Sequence, residues 1–496
     1  AGQWRSIYMT FSAHYAFKSR YIADFSVRRD GTTKFGDNKR WGTFPALSFR
    51  WNVVDEPWMK GAQKWLSMLS VRPGWGRVGS QPGAEYLFFS KYTATDSYNG
   101  ANSIYPSNIR LSNLQWEEKE TWNVGFDLGL FDNRVTADFN IYTQMTSKLL
   151  MTNVNIPSSS GFPSLSWTNV GKMRNNGWEF NINGTDVVKV GKFRLGFNVT
   201  FANNKNEIVE MEPTALANLN KDFDNNNGSY LTRVQLNNPF GAIYGFRYKG
   251  VYQYSDYSEV EVPGVSGPNA PVARDENGNV IRDKAGFTIP MVFGYDKITN
   301  TELYEFQGGD AIYEDINHDG NINELDIVYL GSSLPKITGG WGLKFSYGRW
   351  SLNAQFNFRA GNKVVNRARM DAESMHNNNN QAASVNWRWR TEGQLAEIPR
   401  ALYNKGFNYL GSDRFVEDAS FMRLNYLSLG YSLDPKLLRR IGVASLSINL
   451  NASNLFCLTN YSGADPEVGY GGMGVATDGA KTPRSRQFTA RVQIGF

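Results

Sequence analysis

The chain has 496 residues, 41% hydrophobic and 14% aromatic, with a formal net charge of +6. That charge is small for the length and argues against nucleic acid as a partner. No apolar run is long enough for a membrane helix; this excludes a helical membrane protein but not a β-barrel, whose strands are only half apolar. Several domains are the default expectation at this length. Cys457 stands alone, so no disulfide framework is possible within the chain. Ala1-Gly2-Gln3-Trp4 leads almost directly into a strand without a secretory signal, so the expectation is a processed start or the later part of something longer.

Two-residue alternation recurs from end to end. Met9, Phe11, Ala13, Tyr15 and Phe17 share one face, and after Lys18-Ser19-Arg20 so do Tyr21, Ala23, Phe25 and Val27. Leu47, Phe49, Trp51 and Val53 make a third stripe; Leu69, Val71 and Trp75 make a weaker fourth. Trp122, Val124, Phe126, Leu128 and Leu130 run into the turn at Asp132-Asn133, and Val135, Ala137, Phe139 and Ile141 return. Trp178, Phe180 and Ile182 follow, then Phe193, Leu195, Phe197, Val199 and Phe201. Trp341, Leu343, Phe345 and Tyr347 turn at Gly348-Arg349 into Leu352, Ala354, Phe356 and Phe358. Leu427, Leu429 and Tyr431 precede Leu446, Ile448 and Leu450. The last stripe is Phe488, Ala490, Val492, Ile494 and Phe496, with Thr489, Arg491, Gln493 and Gly495 on the other face. This makes about thirteen spanning candidates, each near the length a tilted membrane strand needs.

The connections alternate in length: short at 18–20, 54–66, 132–133, 185–191, 348–349 and 434–443, long at 30–44, 78–120, 147–175, 203–337, 360–419 and 455–486. Periplasmic turns and extracellular loops produce that asymmetry, whereas a soluble barrel or propeller has no need of it. The reading is an all-β, antiparallel transmembrane barrel with long extracellular loops. It divides the chain into strands at 1–202, a large extracellular region at 203–337 and closing strands at 338–496. The alternating stretch from Tyr244 to Tyr254 is assigned to that extracellular region. An odd strand count cannot close a bacterial single-chain barrel, so further strands are expected before Ala1.

Several stretches resemble the SusC/RagA type of TonB-dependent outer-membrane transporter. They are Arg29-Asp30-Gly31-Thr32-Thr33-Lys34-Phe35-Gly36, Trp41-Gly42-Thr43-Phe44-Pro45, Asn113-Leu114-Gln115-Trp116-Glu117, Asn169-Val170-Gly171 and Asn176-Gly177-Trp178-Glu179. Gly309-Asp310, the run from Val416 to Leu424, Asn454-Leu455 and Asp465-Pro466-Glu467 complete the set. The resemblance implies the C-terminal strands of a twenty-two-stranded plugged barrel in the outer membrane. It also implies TonB-dependent uptake of an oligosaccharide or peptide, a SusD-like surface lipoprotein over the loops, and TonB acting through an N-terminal portion not in this chain. Many of the matching residues have a plain structural reading as well, since Asp30-Gly31 and Asn176-Gly177 are turn dipeptides.

One constellation has a chemical signature of its own. From Asp315 to Asp326, oxygen-bearing side chains fall at loop positions one, three, five, nine and twelve, with Gly320 at the bend. The candidate metal ligands are Asp315, Asn317, Asp319, Asn323 and Asp326, with Asn321 through its carbonyl, and the expected ion is a structural Ca²⁺. Asp326 replaces the usual bidentate Glu and no clear helices flank the loop, so an Asx-turn in a polar loop is the alternative. Candidates for facing substrate or partner are Trp116 and the run Trp387-Arg388-Trp389-Arg390, although tryptophans also anchor loops. Asn-rich tracts at 225–227 and 377–380 read as solvated loop.

His14, His318, His376 and Cys457 have no recognisable catalytic partners, so no enzyme is expected. The competing reading to transport is a soluble or surface glycan-binding β-protein, which predicts no sidedness in loop length.

Overall fold

The computed structural model describes residues 2–98, 101–220, 230, 234–257, 271–294, 304–439, 442–469 and 474–496. Thirteen strands form one sheet in simple chain order. They are β1 (Ser6–Phe17), β2 (Tyr21–Thr32), β3 (Trp41–Asn52), β4 (Leu66–Ser80), β5 (Glu117–Leu130), β6 (Val135–Ser147) and β7 (Gly171–Val190). The others are β8 (Phe193–Met211), β9 (Ile337–Tyr347), β10 (Trp350–Ala360), β11 (Phe421–Ser432), β12 (Ser445–Thr459) and β13 (Gln487–Gly495). Every neighbouring pair is antiparallel, and β1 and β13 are the two outer edges.

Register turns the alternation into two surfaces. Phe25, Leu47, Trp75 and Trp122 pair in one row across four strands, and Phe126, Phe139, Phe180 and Phe201 in another. Leu352, Leu429, Leu450 and Ala490 continue the same face toward the C-terminal edge. Many of these side chains are exposed, including Phe488 at 72% and Trp122 at 56%, as a surface solvated by hydrocarbon requires. The opposite face carries hydroxyls, amides and ions.

All the tight turns lie at one end of the sheet. Lys18 and Ser19 sit at φ 52° and 55°, a left-handed pair that suits the twist of a short hairpin, and Gly348 takes φ 59° in the two-residue turn 348–349. Six connections are shorter than their alternation suggests, because the strands stay paired beyond their apolar stripes; those at 78–120, 147–175 and 455–486 shrink to 81–116, 148–170 and 460–486, and three others show how. β2 and β3 remain paired through Asp30↔Gly42 and Gly31↔Trp41, leaving 33–40 as loop rather than 30–44. β7 passes a register break between Gly184 and Val188 and runs on to Val190, so the turn is 191–192 instead of 185–191. β8 stays paired with β7 as far as Gly171↔Met211, so the large excursion starts at 212. Within it, Ala242–Gly245 pairs with Val328–Ser332 and Tyr248–Val251 with Ala311–Tyr313, both apart from the wall.

The water-excluded cores sit at the long-loop end. The largest fully buried side chains include Phe35, Phe246, Phe306, Phe415, Met370 and Leu410, none of them in the apolar stripes of the wall. One core gathers Phe246, Phe293, Phe306, Tyr313 and Ile322 from the 212–336 excursion with Leu410 from the next loop. Another joins Phe35, Phe44, Leu87, Leu111, Leu114 and Trp116. Trp116 lies 5.1 Å from the Phe35 ring and 5.5 Å from Phe44, and its indole N–H donates to the Arg40 carbonyl. Three separate stretches of family-like sequence thus meet in one aromatic cluster. Removing this ring in Trp116→Ala should cost about 3–5 kcal/mol and expose the 81–116 loop to protease, whereas Trp387→Ala, 78% exposed, should leave stability unchanged. Equal protease resistance of Trp116→Ala and wild type would show that the cluster does not hold the loop.

Candidate functional site

The polar face of the wall and the loops above it form the candidate site. On the wall, Asp127 accepts from Arg72 Nε at 2.7 Å, Arg72 Nη2 at 2.6 Å and Ser70 Oγ at 2.7 Å, with Arg50 at 3.5 Å. Burying a carboxylate is tolerable only with such pairing. Elsewhere amides and hydroxyls interleave with further charges such as Glu179, Lys344 and Arg491. Asp138 accepts from Asn140 and Asn181, Gln355 donates to Asn198 and Asn353, and Asn451 accepts from Tyr426. Such a surface offers many neutral donors and acceptors along the length of the wall.

In the loops, the family-like residues act as fasteners. Arg423, 5% exposed, reaches Asp465 Oδ1 at 2.6 Å and lies 3.7 Å from Glu467, which also binds Arg484 at 2.6 Å. The run from Val416 to Leu424 is thereby tied to Asp465-Pro466-Glu467. Glu417 accepts from Ser462 N and Oγ, Arg369 and Asn366. Burial works against its charge, but those hydrogen bonds hold its carboxyl below the usual range. Asp310, fully buried, accepts from Arg400 Nε and Tyr304 at 2.7 Å each and from Gln307 N at 2.9 Å. Asn169 accepts from Gln115 N and donates to Gln115 O, fastening that stretch to the hairpin beside it.

The acidic loop is closed by its own backbone. Asp315 accepts from Gly320 N at 2.8 Å, Asp319 from Asn321 N at 2.8 Å, and Asn323 from Leu325 N at 2.7 Å. Asn317 accepts from Asp319 N at 3.2 Å and donates to its carboxylate at 2.9 Å. Asp326 is fully buried and accepts from Ile316 N and Asn323 N at 2.8 Å each. Burial raises its carboxyl to about 6; the two backbone donors oppose the rise, and the nearby charges of Asp315 and Asp319 add to it. The side-chain oxygen of Asn321 is buried and has no hydrogen-bond partner among the described residues. These contacts are the Asx-turn pattern, with the carboxylates of Asp315, Asp319 and Asp326 crowded together. His318 donates to, or accepts through, no loop oxygen; its Nδ1 lies 3.0 Å from the Arg274 carbonyl.

The residues expected to face a ligand or partner separate into two groups. Trp116 is excluded from that role by its burial in the aromatic cluster. Trp389 is likewise buried, at 4% exposure, with its indole N–H on Gln253 Oε1 and its ring 5.6 Å from Tyr254. Its ring lies against Gly309, where an added Cβ would come within 2.4 Å, so glycine is needed there both for space and for φ 90°. Trp387 and Arg390 are exposed, and Arg388 is half-buried with its guanidinium on the Val385 carbonyl. Trp387 ends a short 3-10 helix, and Trp389 lies beyond it in a loop closed by its N–H on the Ile398 carbonyl, which separates the two tryptophans. Leu395, 99% exposed in the same loop, went unnoticed in the sequence; a lone leucine among Gln394, Ala396 and Glu397 was the available signal. The Asn tract at 377–380 is exposed, and that at 225–227 lies outside the described residues.

Residues 6–271 match the family described as TonB dependent receptor-like, beta-barrel. TonB-dependent receptor P39 of Formosa agariphila is 28% identical over 97% of this chain and 45% of its own length. TonB-dependent receptor SusC of Bacteroides thetaiotaomicron is 26% identical over 97% of this chain and 43% of its own. The chain therefore spans a little under half the length of these curated relatives. The solved structure of the RagAB peptide transporter superposes on 99% of this chain and 48% of its own, with a TM-score of 0.75 at 23% identity, which speaks to the fold. The RagAB importer in its open-open state gives a TM-score of 0.72. The family is one of receptors and transporters rather than enzymes. A meander with one apolar and one polar face, long loops at one end only and this match over more than half its length place the chain in the TonB-dependent receptor β-barrel family, as wall strands of an outer-membrane barrel.

Proposed function

We propose that these strands and loops belong to a SusC/RagA-type transporter that imports an oligosaccharide or a peptide in a TonB-dependent manner. The observation that carries this reading is the sidedness of the sheet: a polar amide-rich face for the lumen, an apolar face for lipid, and every large excursion at one end. In this reading the free edges of β1 and β13 are completed by further strands, since unpaired N–H and C=O groups cannot be left in hydrocarbon. TonB acts through a segment outside this chain. The polar face suits cargo rich in hydroxyls or amides, which both substrate classes are. A soluble glycan-binding role is disfavoured by the apolar stripes, which need detergent or lipid to stay dispersed. The test is accumulation of labelled oligosaccharides and peptides by cells carrying the full-length protein, with and without TonB. Uptake of one class should depend on both proteins; uptake that persists without TonB would mark a diffusional pore and overturn the reading.

A SusD-like lipoprotein is the proposed partner over the loops, docking on the 387–398 loop. Support comes from Trp387 and Leu395, 78% and 99% exposed, with Arg390 exposed between them and its guanidinium on the Asn386 carbonyl. Aromatic and Arg anchors of that kind dominate protein interfaces. The double variant Trp387→Ala, Leu395→Ala should lower lipoprotein co-purification at least tenfold with the barrel still folded. Unchanged recovery would move the dock elsewhere.

The 315–326 loop is proposed to take a structural Ca²⁺ through Asp315, Asn317, Asp319, Asn323 and Asp326, with the Asn321 carbonyl. Support comes from Asp315 and Asp319, whose charges add to the rise that burial imposes on the Asp326 carboxyl and which a cation would offset. Chelator should make the wild-type loop protease-sensitive, and Asp315→Ala with Asp319→Ala should make it sensitive in either condition. A wild-type loop equally resistant with chelator would leave the Asx-turn as the whole account.

A further inference from the structure

A large cavity lies on the apolar, lipid-facing side of the wall, away from the polar face. It is a groove of about 1070 Å³ crossing β3 to β8, walled by Phe49, Trp75, Trp122, Ile141 and Trp178. That volume is at the top of the range of about 300–1,000 Å³ usual for small-molecule sites. The groove is open along its length and almost wholly apolar until its long-loop end, where Asn176, Asn203 and Lys205 line it.

The charges at this end do not cancel. Lys205 lies 3.4 Å from Glu207, and Arg174 lies 3.2 Å from the other oxygen of the same carboxylate. Register places Arg174 opposite Glu207 and Asn176 opposite Lys205, so all four belong to one face. Two cations thus share one anion. The neighbouring Glu120 is matched by Arg77 at 3.2 Å and by the Trp75 indole at 2.7 Å, so it does not neutralise the excess. The Asn176 amide accepts from Thr143 through its oxygen, which leaves its NH₂ as a donor beside Lys205. The Lys205 side chain is 70% exposed, long enough to reach from the groove to the head-group level.

We propose that this groove is a specific site for one phosphate-bearing lipid of the outer leaflet, with acyl chains between the tryptophans and phosphate on Lys205, Asn176 and Arg174. The apolar groove is continuous with the membrane-facing wall and opens toward the loop side, so its occupant enters from that leaflet. Basic residues at the membrane-facing edge of an apolar cleft are the usual chemistry of head-group recognition. The proposal stands apart from the uptake reading, since it concerns the opposite face of the sheet.

The test uses the protein purified from outer membranes in neutral detergent and stripped of lipid by extensive exchange. Two probes share the same chains: a phosphatidic acid and the matching diacylglycerol. Native mass spectrometry should show one phosphatidic acid retained per protein, at least tenfold in preference to diacylglycerol. Lys205→Glu should lower phosphatidic acid retention at least fivefold and leave diacylglycerol unchanged, while Ile141→Trp, which fills the groove, should lower both. Heat-modifiable mobility on gels reports that each variant is still a folded barrel. Equal retention of the two probes by wild type would mean only bulk lipid contact and would overturn the proposal. So would full phosphatidic acid retention by folded Lys205→Glu protein.

Discussion

The hydrogen-bonding demand of a backbone inside hydrocarbon governs this molecule. An unpaired N–H or C=O there costs several kcal/mol, so the chain crosses the membrane only as strands with neighbours on both sides. A meander in strict chain order is the simplest way to supply those neighbours with short turns, and it is the order found from β1 to β13. Alternation then follows from the pleat, because each residue must serve either lipid or lumen. The wall has no interior of its own. Its cohesion comes from the ladder and from cross-strand pairs such as Trp341 and Phe356, stacked at 4.0 Å.

Water exclusion of the ordinary kind returns only above the membrane. There the chain must hold some long excursions in fixed shapes without a sheet to guide them. Apolar clusters around Phe246 and Trp116 supply most of the driving force. Ion clusters set the geometry: Arg423 with Asp465, Arg400 with Asp310, and Arg414 with Glu373 at 2.7 Å. Buried pairs of this sort are weak contributors to net stability because desolvation offsets attraction. They are nevertheless intolerant of losing one partner, which suits them to fixing which loop lies against which.

The wall was readable in the sequence because a period of two is local. Strand positions, the common apolar face and the side of the tight turns all follow from residues within one hairpin. What required the fold was anything decided by distant pairing. Tyr244 to Tyr254 alternates much as a wall strand does, and the sequence already assigns it to the extracellular region; its partners there, Val328–Ser332 and Ala311–Tyr313, emerge only from the fold. Trp116 and Trp389 sit beside polar residues and look like surface anchors. Their burial depends on Phe35 and Phe44 in one case and on Gly309 and Gln253 in the other. The break at Gly184 to Val188 lengthened β7 for a similar reason: a bulge is invisible until its partner strand is known. In the acidic loop, spacing revealed the oxygen-rich pattern, but the choice of backbone N–H groups as partners is three-dimensional.

The distribution of charge divides the labour between wall and loops. On the lumen face, Asp127 is matched by Arg72 and Arg50, and Asp138 is held by amides of its neighbours. Ions that are neutralised within their own network project little field into the space they line. Amides and hydroxyls such as Asn198, Gln355 and Asn451 remain, and they offer hydrogen bonds without selecting strongly among polar solutes. Strong discrimination needs several groups converging on one ligand with its polar atoms desolvated. An open wall of dispersed polar side chains does not concentrate groups in that way, whereas loops clamped by buried ion pairs can. On the uptake reading proposed above, selectivity belongs to the segments between β8 and β9, β10 and β11, and β12 and β13, whose shapes the ion clusters fix.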